Sequence, residues 1–364
     1  MILTPCAIIF YVFKKKLLRN LPRKFILSSY TNRAEKMDYQ NISFSQRTMA
    51  EISGISVSTI NRYITYNNIN HLKSNSKIRR YPISVCRKLL YDLKFQELVP
   101  DRKIQVFFNF KGGTGKTSIC FQIAAHLAFL GYKVLAVDCD AQGHLSSCFH
   151  QLDTNNQGHT IYDVLRGHVP ISQAIKGVFE GLDLIPSNLS LTHSEVGLSP
   201  AHNREKLLAK KLESIKGSYD FILIDTNPTF SILNFNALLA ADDVNVICET
   251  QPMSYSGLRI LMNQIRIFSK EMDLNIPCRI IPNKYEQNTV NAQQILGYLR
   301  HDYADLVSLH IVRKSEDFNE CSKSGTPLCI KYYQSNSQAF EDITQLLHEI
   351  VDKTCIKKRK ANVA

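Results

Sequence analysis

The sequence predicts an α/β protein with a mostly parallel, doubly wound sheet, preceded by a small all-α domain. A glycine-rich stretch, "KGGTGKT", stands between an apolar run and a helical pattern. Further unbroken apolar runs alternate with helical patterns, which is typical of a parallel sheet covered on both faces. Ahead of this region, the first hundred residues carry the whole positive excess of the chain.

The predicted strands are apolar runs of five to eight residues, and we expect them to lie side by side in one sheet. They lie at 104–110, 133–140, 220–226, 244–250, 279–284 and 308–312.

The charge of the chain is distributed unevenly around a formal net value of +12 in 364 residues. Residues 1–36 hold eight Lys and Arg against one acid, and residues 37–100 hold nine against four. From residue 101 onward the two signs balance at 27 each. A basic block joined to a neutral body indicates a nucleic-acid-binding module attached to a domain with another task. The alternative is a solvated basic face.

Cysteine, histidine and hydropathy patterns exclude several classes of site. The ten cysteines contain no C-x-x-C pair, and the eleven histidines contain no H-x-x-x-H pair. Scattered cysteines in a chain of this length indicate reduced thiols in a cytoplasmic protein. No apolar run reaches the roughly 20 residues of a transmembrane helix, so no membrane association is expected.

These shifts in composition predict four segments: a basic extension at 1–36, a DNA-binding domain at 37–100, a sheet domain at 101–352 and a basic tail at 353–364. The extension is either flexible or an artefact of start-site choice, because recognisable organisation begins at Met37. The main boundary is expected in "QELVPDRK", where Pro100 disfavours helix for the residue before it.

The stretch "SQRTMAEISGISVSTINRYITY", from 45 to 66, predicts two helices joined by a tight turn, the helix-turn-helix pattern. Its apolar residues recur at helical spacing: Met49, Ile52, Ile55, Ile60 and Ile64. Gly54 can adopt positive φ at a helix end, and Ser56 or Ser58 can cap the next helix. The alternative is a helical hairpin with a purely structural role.

The second helix of this pair, and a basic segment after it, supply the candidate DNA contacts. Polar and guanidinium groups suit base edges and phosphates, and a basic wing suits the phosphate backbone. These candidates are Ser58, Thr59, Asn61, Arg62, Arg79 and Arg80.

The stretch "FFNFKGGTGKTSIC" matches a phosphate-binding loop except that Phe110 replaces its first glycine. An apolar run before it and a helix after it give the context that makes such a match strong. Backbone N–H groups would surround a phosphate chain, Lys116 would lie against the β- and γ-phosphates, and Thr117 would ligate Mg²⁺. Nucleotide binding is assigned to Lys111, Gly112, Gly113, Thr114, Gly115, Lys116, Thr117 and Ser118.

Acidic residues end two of the predicted strands. Asp225 ends "FILID", where its carboxylate can hold Mg²⁺ through water. Asp138 and Asp140 end "VLAVDCD" and point the same way, so one can serve the metal while the other positions the attacking water. Helix capping is the alternative role. Hydrolysis of this kind needs positioning and charge neutralisation rather than a covalent nucleophile.

The motifs "KGGTGKT", "VLAVDCDAQGHLSS" and "YDFILIDTNPTFSILNFNALLAAD" closely resemble the deviant Walker P-loop ATPases of the ParA family, which partition plasmids and chromosomes. The resemblance covers roughly 100–350, and the helix-turn-helix before it resembles the larger plasmid type. It implies ATP and Mg²⁺ as cofactors, a homodimer, a ParB-type partner, and repression of the chain's own operon. Non-specific DNA binding by the ATP-bound dimer and a nucleoid-associated, cytoplasmic location are implied too.

The resemblance also implies individual roles. Lys111 corresponds to the signature lysine, which reaches across the dimer to the partner's nucleotide. Asp140 would activate or position water, while Asp138 and Asp225 would be Mg²⁺-associated. Lys111, Lys116 and Asp140 are thus the catalytic candidates.

Two more residues are assigned by resemblance near the nucleotide. Asn283 in "RIIPNKYE" is a candidate base contact, and Pro327 in "KSGTPLCIKYY" would lie near the pocket. The chain departs from the family at Ala141, where a proline is usual, and after Asp225, where Pro228 is the only proline of a usual pair. Neither change removes a charged group, so ATPase activity is expected.

Three other interpretations remain. A transcriptional regulator could use the fold only to sense nucleotide. A MinD-like ATPase would need a C-terminal amphipathic helix, whereas "IVDKTCIKKRKANVA" is basic with few bulky apolar residues. A reductase resembling the nitrogenase iron protein would need cluster-ligating cysteines.

Overall fold

The computed structural model describes residues 39, 42–72, 78–101, 103–151, 158–193, 204–229, 231–331 and 337–357. The chain divides into two units, residues 1–37 and 38–364, and everything below concerns the second unit. The predicted extension at 1–36 and most of the predicted tail, residues 358–364, lie outside the described residues.

The N-terminal part of this unit contains three helices and a short antiparallel strand pair. In chain order its elements are β1 (Ser43–Ser45), α1 (Gln46–Ser53), α2 (Val57–Tyr66), β2 (Arg80–Pro82), α3 (Ile83–Leu93) and β3 (Leu98–Pro100). Strand β1 pairs with β2, so this region is not purely helical. Gly54 ends α1 with φ of 68°, and the Ser56 hydroxyl accepts the Thr59 N–H to cap α2, as the sequence predicts.

A seven-stranded sheet forms the centre of the unit. Its strands are β4 (Ile104–Phe108), β5 (Val134–Cys139), β6 (Lys176–Phe179), β7 (Leu182–Ile185), β8 (Phe221–Thr226), β9 (Asp243–Glu249) and β10 (Cys278–Asn283). They run in the order β10-β9-β4-β8-β5-β7-β6, and only the β6–β7 pairing is antiparallel. The mostly parallel sheet is therefore confirmed. Strands β4, β5, β8 and β9 are buried along their whole length, as expected for a sheet covered on both faces.

Helices cover the two faces of this sheet. They are α4 (Lys116–Phe129), α5 (His144–Cys148), α6 (Ile161–Arg166), α7 (Ile171–Ala174), α8 (Leu207–Glu213), α9 (Ile232–Ala240), α10 (Pro252–Glu271), α11 (Val290–Asp302), α12 (Asp317–Ser324), α13 (Leu328–Lys331) and α14 (Gln338–Thr354). Helix α4 is buried nearly all round, because the sheet lies on one side of it and α3 and α14 pack against it elsewhere. None of the helices in the described ranges combines the length and apolarity needed to cross a bilayer.

Two parts of the predicted strand list differ from the structure. Residues 308–312 do not form a strand, although Ser308 and Val312 donate backbone N–H groups to the Ile280 and Pro282 carbonyls of β10. Between these two bonds the chain leaves the ladder, and Oε2 of Glu349 on α14 accepts the Ser308 hydroxyl at 2.7 Å and the His310 N–H at 3.3 Å. The edge hairpin of β6 and β7 was not predicted.

The predicted boundary, residues 96–103, contains a strand at Leu98–Pro100. Strand β3 pairs antiparallel with β11 (Cys355–Lys357), so the start of the predicted tail holds this connection in place. The Phe44 ring of β1 packs edge-on against Phe129 of α4, with centroids 5.3 Å apart. The N-terminal helices and the sheet region thus share one core.

Candidate functional site

The phosphate-loop segment connects the carboxyl end of β4 to the first turn of α4. Gly115, the residue before the helix, has φ of 94°, a conformation that favours glycine. A Cβ at this position would lie 2.4 Å from Nδ2 of Asn283. That amide in turn donates to the Thr114 carbonyl at 2.6 Å. Asn283, predicted as a base contact, therefore supports the loop from the end of β10.

Lys116 lies buried inside the loop. Its Nζ donates to the Lys111 carbonyl at 3.3 Å, a long bond for an ammonium group. Burial lowers the pKa of Lys116, although the nearby charges of Asp225 and Asp140 oppose this effect. A buried cation with one weak hydrogen bond is suited to receiving an anion.

Asp225 lies at the end of β8, beside the first turn of α4. Its Oδ2 accepts the Thr117 hydroxyl at 2.7 Å, while Oδ1 has no hydrogen-bond partner within the described ranges. Burial, and then the charge of Asp138, raise the pKa of Asp225 well above its ordinary value. An orphaned buried carboxylate oxygen beside a hydroxyl fits Mg²⁺, which prefers oxygen ligands and keeps several waters.

The described residues contain no group of three or more His, Cys, Asp and Glu side chains that could hold a metal by themselves. A magnesium ion at Asp225 and Thr117 would therefore need oxygens from water and from a bound phosphate. That ligand set is common where Mg²⁺ enters together with a nucleotide.

Asp138 and Asp140 have different surroundings. Both oxygens of Asp138 are used: Oδ1 accepts the Asp140 N–H at 3.0 Å, and Oδ2 accepts the N–H and hydroxyl of Ser146 at 2.8 and 2.7 Å. Burial raises its pKa to about 6 despite these bonds. Asp140 accepts the Gln142 N–H at 3.0 Å and lies 3.3 Å from Nδ1 of His144, whose side chain is largely exposed. Asp140 is thus the one with an approach from solvent.

Lys111 extends away from Lys116 and is held by residues that the sequence did not single out. Its Nζ lies 2.6 Å from Oε2 of Glu249 and 2.8 Å from the Ser254 hydroxyl. Lys284 reaches the other oxygen of the same carboxylate at 2.9 Å and also donates to the Gly113 carbonyl. Burial alone would raise the pKa of Glu249, but the hydrogen bonds from the two lysines lower it below its ordinary value.

A cleft opens beside the loop, at the end of β10. It is lined by residues of the loop, the end of β10 and the α12 region, among them Gly115, Ser118, Asn283, Lys284, Arg313 and Phe318. Its position beside Ser118 and Asn283 suits a base attached to phosphates in the loop. The sequence singled out neither Arg313, which Asp342 orients through bonds of 3.0 Å, nor Phe318.

Pro327 is buried, and the following N–H, from Leu328, donates to Oε1 of Gln122 on α4 at 2.9 Å. The proline therefore adjoins a contact that fixes α13 against α4. Its predicted place near the nucleotide stays a prediction.

The predicted DNA contacts lie on α2 and at β2, elements that contain none of the phosphate-loop residues. Ser58, Asn61, Arg62 and Arg79 are exposed and Thr59 is half-buried. Arg80 is different, because its Nε donates to the Ser43 hydroxyl at 2.9 Å and its guanidinium also bonds the Ser43 carbonyl. That side chain ties β2 to β1, and its role as a DNA contact stays a prediction.

Comparison with known proteins places this site in a family context. The family model described as an AAA domain matches residues 102–278. The cell division protein PomZ of Myxococcus xanthus is 33% identical over 253 residues, which cover 68% of this chain and 78% of that protein. The chromosome-partitioning ATPase Soj of Treponema pallidum is 31% identical over 251 residues, covering 68% of this chain and 97% of that protein.

Among solved structures, a plasmid partition protein of Borrelia burgdorferi bound to AMPPNP aligns with a TM-score of 0.60 and 26% identity. The alignment covers 70% of this chain and 100% of that one. The family-model match, residues 102–278, includes the phosphate loop and the strands β5 and β8 that carry the acidic residues.

Proposed function

This chain belongs to the ParA family of partition ATPases, and we propose that it is a Mg²⁺-dependent ATPase that partitions a plasmid or chromosome as an ATP-bound dimer. The single observation that carries the proposal is the pair of lysines in one loop. Lys116 is buried where phosphate would lie, whereas Lys111 is half-exposed and points to a separate carboxylate. One lysine serves the chain's own nucleotide, and the other is left for a second subunit.

Binding would rely on the loop and on α4. Backbone N–H groups from Gly112 to Thr117 and the positive end of the helix receive the phosphates, and Lys116 neutralises their charge. Mg²⁺ would be held by Thr117 and, through water, by Asp225, and it would supply charge neutralisation during phosphoryl transfer. Asp138 also lies at this end of the sheet. It would support the Mg²⁺ site indirectly, because its bonds to Asp140 and Ser146 fix the loop after β5.

Hydrolysis would use Asp140 to position the attacking water. It is buried, yet it lies beside the exposed His144 ring, so water can approach. We expect Asp140→Ala to bind ATP normally and to lower turnover at least about 100-fold, because phosphoryl transfer depends on positioning. The measurement is steady-state phosphate release, with the exposed Asp305→Ala as the matched control. Unchanged turnover in Asp140→Ala would contradict the assigned role.

The proposal includes two modes of DNA binding and a ParB-type partner that stimulates hydrolysis. Non-specific DNA would bind the ATP-bound dimer, and a specific operator would bind α2, so that the protein also represses its own operon. The turn geometry supports the second mode, since Gly54 ends α1 in the left-handed region and Ser56 caps α2. The expected location is cytoplasmic, on the nucleoid.

Operator binding is tested by Arg62→Ala, which should weaken binding to the upstream DNA while ATP turnover stays unchanged. Arg47→Ala is the matched control, because Arg47 is also exposed but pairs with Glu51 on α1. A change confined to hydrolysis would refute this division of tasks.

The alternative function, a regulator without a segregation role, is separated by plasmid retention. A plasmid carrying this gene with its neighbouring locus should be retained, and Lys116→Ala should abolish retention. Equal retention in both strains would favour the regulator.

A further inference from the structure

We propose that Glu249 and Ser254 are positioning residues that hold the signature lysine, Lys111, within its own subunit and compete with the partner's nucleotide for it. This inference rests on the proposed function, because it assumes that Lys111 reaches a second subunit. It assigns Glu249 and Ser254 to the control of dimerisation. Their contact with Lys111 opposes dimerisation and so sets the ATP concentration at which dimers form.

Lys111, Glu249 and Ser254 contact one another in a triangle of short bonds, which we call the hold on Lys111. The Lys111 ammonium lies 2.6 Å from one oxygen of Glu249 and 2.8 Å from the Ser254 hydroxyl, which itself donates to the same oxygen at 3.2 Å. The lysine side chain is 41% exposed, whereas that of Glu249 is 8% exposed. The carboxylate is thus the fixed member of the pair and the lysine is the mobile one.

Glu249 can release Lys111 without becoming an isolated buried charge. Lys284 remains on its other oxygen at 2.9 Å, and Ser254 remains on the first. Removing one partner of a buried ion pair is costly when the other charge is left alone. Here a second lysine stays in place, so the exchange of Lys111 between two anions has a small cost.

The competing anion is a nucleotide triphosphate on the partner subunit. It carries more negative charge than one carboxylate, and bonds between ammonium and phosphate are among the strong charge-assisted bonds. The intramolecular pair is half-exposed, and pairs of that kind contribute modestly. The partner's phosphate therefore displaces Glu249, and the cis contact raises the ATP concentration at which two chains pair.

Glu249 also connects Lys111 with the loop. Lys284, which shares this carboxylate, donates to the Gly113 carbonyl and lines the cleft beside the loop. The release of Lys111 therefore depends on Lys284 keeping its bond to Glu249, because the carboxylate would otherwise be left without a lysine partner.

The test measures self-association by sedimentation velocity with Mg²⁺ and AMPPNP. Glu249→Gln should tighten association about 5-fold, the order expected for one half-exposed ion pair, and Ser254→Ala should act in the same direction with a smaller effect. Glu249→Asp, which keeps the charge, should stay nearer to wild type. Glu51→Gln, which breaks the exposed pair with Arg47 on α1, is the matched control and should leave association unchanged.

A second measurement follows Lys111 directly in the nucleotide-free chain. Labelling with an amine-reactive reagent and mass spectrometry should show several-fold faster modification of Lys111 in Glu249→Gln than in wild type, with Lys133 unchanged. If Glu249→Gln does not fold, Ser254→Ala carries both measurements.

The outcomes separate this inference from the proposed function. If wild type associates with AMPPNP but Glu249→Gln and Ser254→Ala associate equally or more weakly, the cis competition is wrong and the dimer stands. If wild type does not associate at any AMPPNP concentration, the proposed dimer is wrong and this inference is overturned with it. Unchanged labelling of Lys111 in Glu249→Gln would likewise overturn the hold.

Discussion

Helix α4 begins in the phosphate loop and ends against the N-terminal helices. The polar groups at its two ends differ in how many hydrogen-bond partners they have. At the first end, Lys116 has one long hydrogen bond. The Thr114 hydroxyl and one oxygen of Asp225 have no partner in the described part of the chain. Buried polar groups in this condition raise the free energy of the ligand-free protein.

The other end is closed by Arg87 of α3. Its Nε donates to the Ala128 carbonyl at 2.7 Å, and Nη2 donates to those of Tyr132 and Gly131 at 3.2 and 3.4 Å. The guanidinium is buried and supplies donors to carbonyls in the last turn of the helix and just beyond it. A positive charge here also complements the helix dipole.

The difference shows how one helix serves both folding and function. The satisfied end fixes α4 to the rest of the core, so the unsatisfied end is held in place for a ligand that supplies the missing partners. Buried polar groups lack hydrogen-bond partners where a ligand is expected, and they have partners where only stability is needed.

The largest expected effect is at the loop end. Lys116→Ala should weaken ATP binding at least about 1000-fold, because a charge-assisted contact with phosphate is lost in a buried site. Isothermal titration calorimetry measures it, with Lys133→Ala as a matched control beyond the far end of α4. Ordinary ATP affinity in Lys116→Ala would remove the phosphate-loop assignment.

The next effect is at the closed end. Arg87→Met should lower the free energy of unfolding by about 3 kcal/mol, because the Gly131 and Tyr132 carbonyls lose their side-chain donor and the Ala128 carbonyl loses one of two donors. Urea unfolding measures it, with the exposed neighbour Lys88→Met as control. The folded fraction should keep its ATP affinity. A shift below about 1 kcal/mol would contradict the capping role.

A pH effect is expected from His126, within the last turn of α4. Its Nδ1 donates to the Gln122 carbonyl at 2.7 Å, since a carbonyl can only accept, and complete burial lowers its pKa to about 4. The unfolded chain takes up a proton near pH 6.5 while the folded chain stays neutral. Stability is therefore fully present above pH 6.5 and is lost as pH falls towards 4, by about 3 kcal/mol.

The check on His126 is unfolding by urea at a series of pH values. His126→Gln should flatten the decline between pH 6.5 and 4, whereas His301→Gln, at an exposed histidine, should leave it unchanged. An identical decline in His126→Gln and wild type would assign the effect to other groups.

The smallest effect concerns the support of the loop. Asn283→Ala removes the donor to the Thr114 carbonyl, and we expect ATP affinity to fall about 10-fold, as for one buried hydrogen bond with a fixed partner. Asn263→Ala, on the exposed face of α10, is the control. A loss above about 1000-fold would mean that Asn283 does more than hold the loop.

Local signals in the sequence predicted much of this arrangement. Gly115 and Lys116 follow from a motif, and the buried strands follow from unbroken apolar runs. Gly54 and Ser56 were predicted because a tight turn between helices needs a residue with positive φ and an N-cap. Asp225 was found because it directly ends such a strand.

The rest depends on contacts between distant segments. Arg87 meets α4 across 41 positions, and Lys111 meets Glu249 across 138, distances at which spacing carries no signal. Residues 308–312 have an apolar pattern, but Glu349 on α14 accepts the Ser308 hydroxyl and the His310 N–H. The bonds between Arg80 and Ser43 were missed for the same reason, since the two residues lie far apart in sequence.

The central claim is that the two lysines of the loop serve two different subunits. Sedimentation velocity with Mg²⁺ and AMPPNP, run on wild type and on Lys111→Ala, tests it most directly. We predict that wild type sediments as a dimer, while Lys111→Ala binds AMPPNP with nearly unchanged affinity and remains a monomer. A Lys111→Ala variant that dimerises as wild type does would contradict the account.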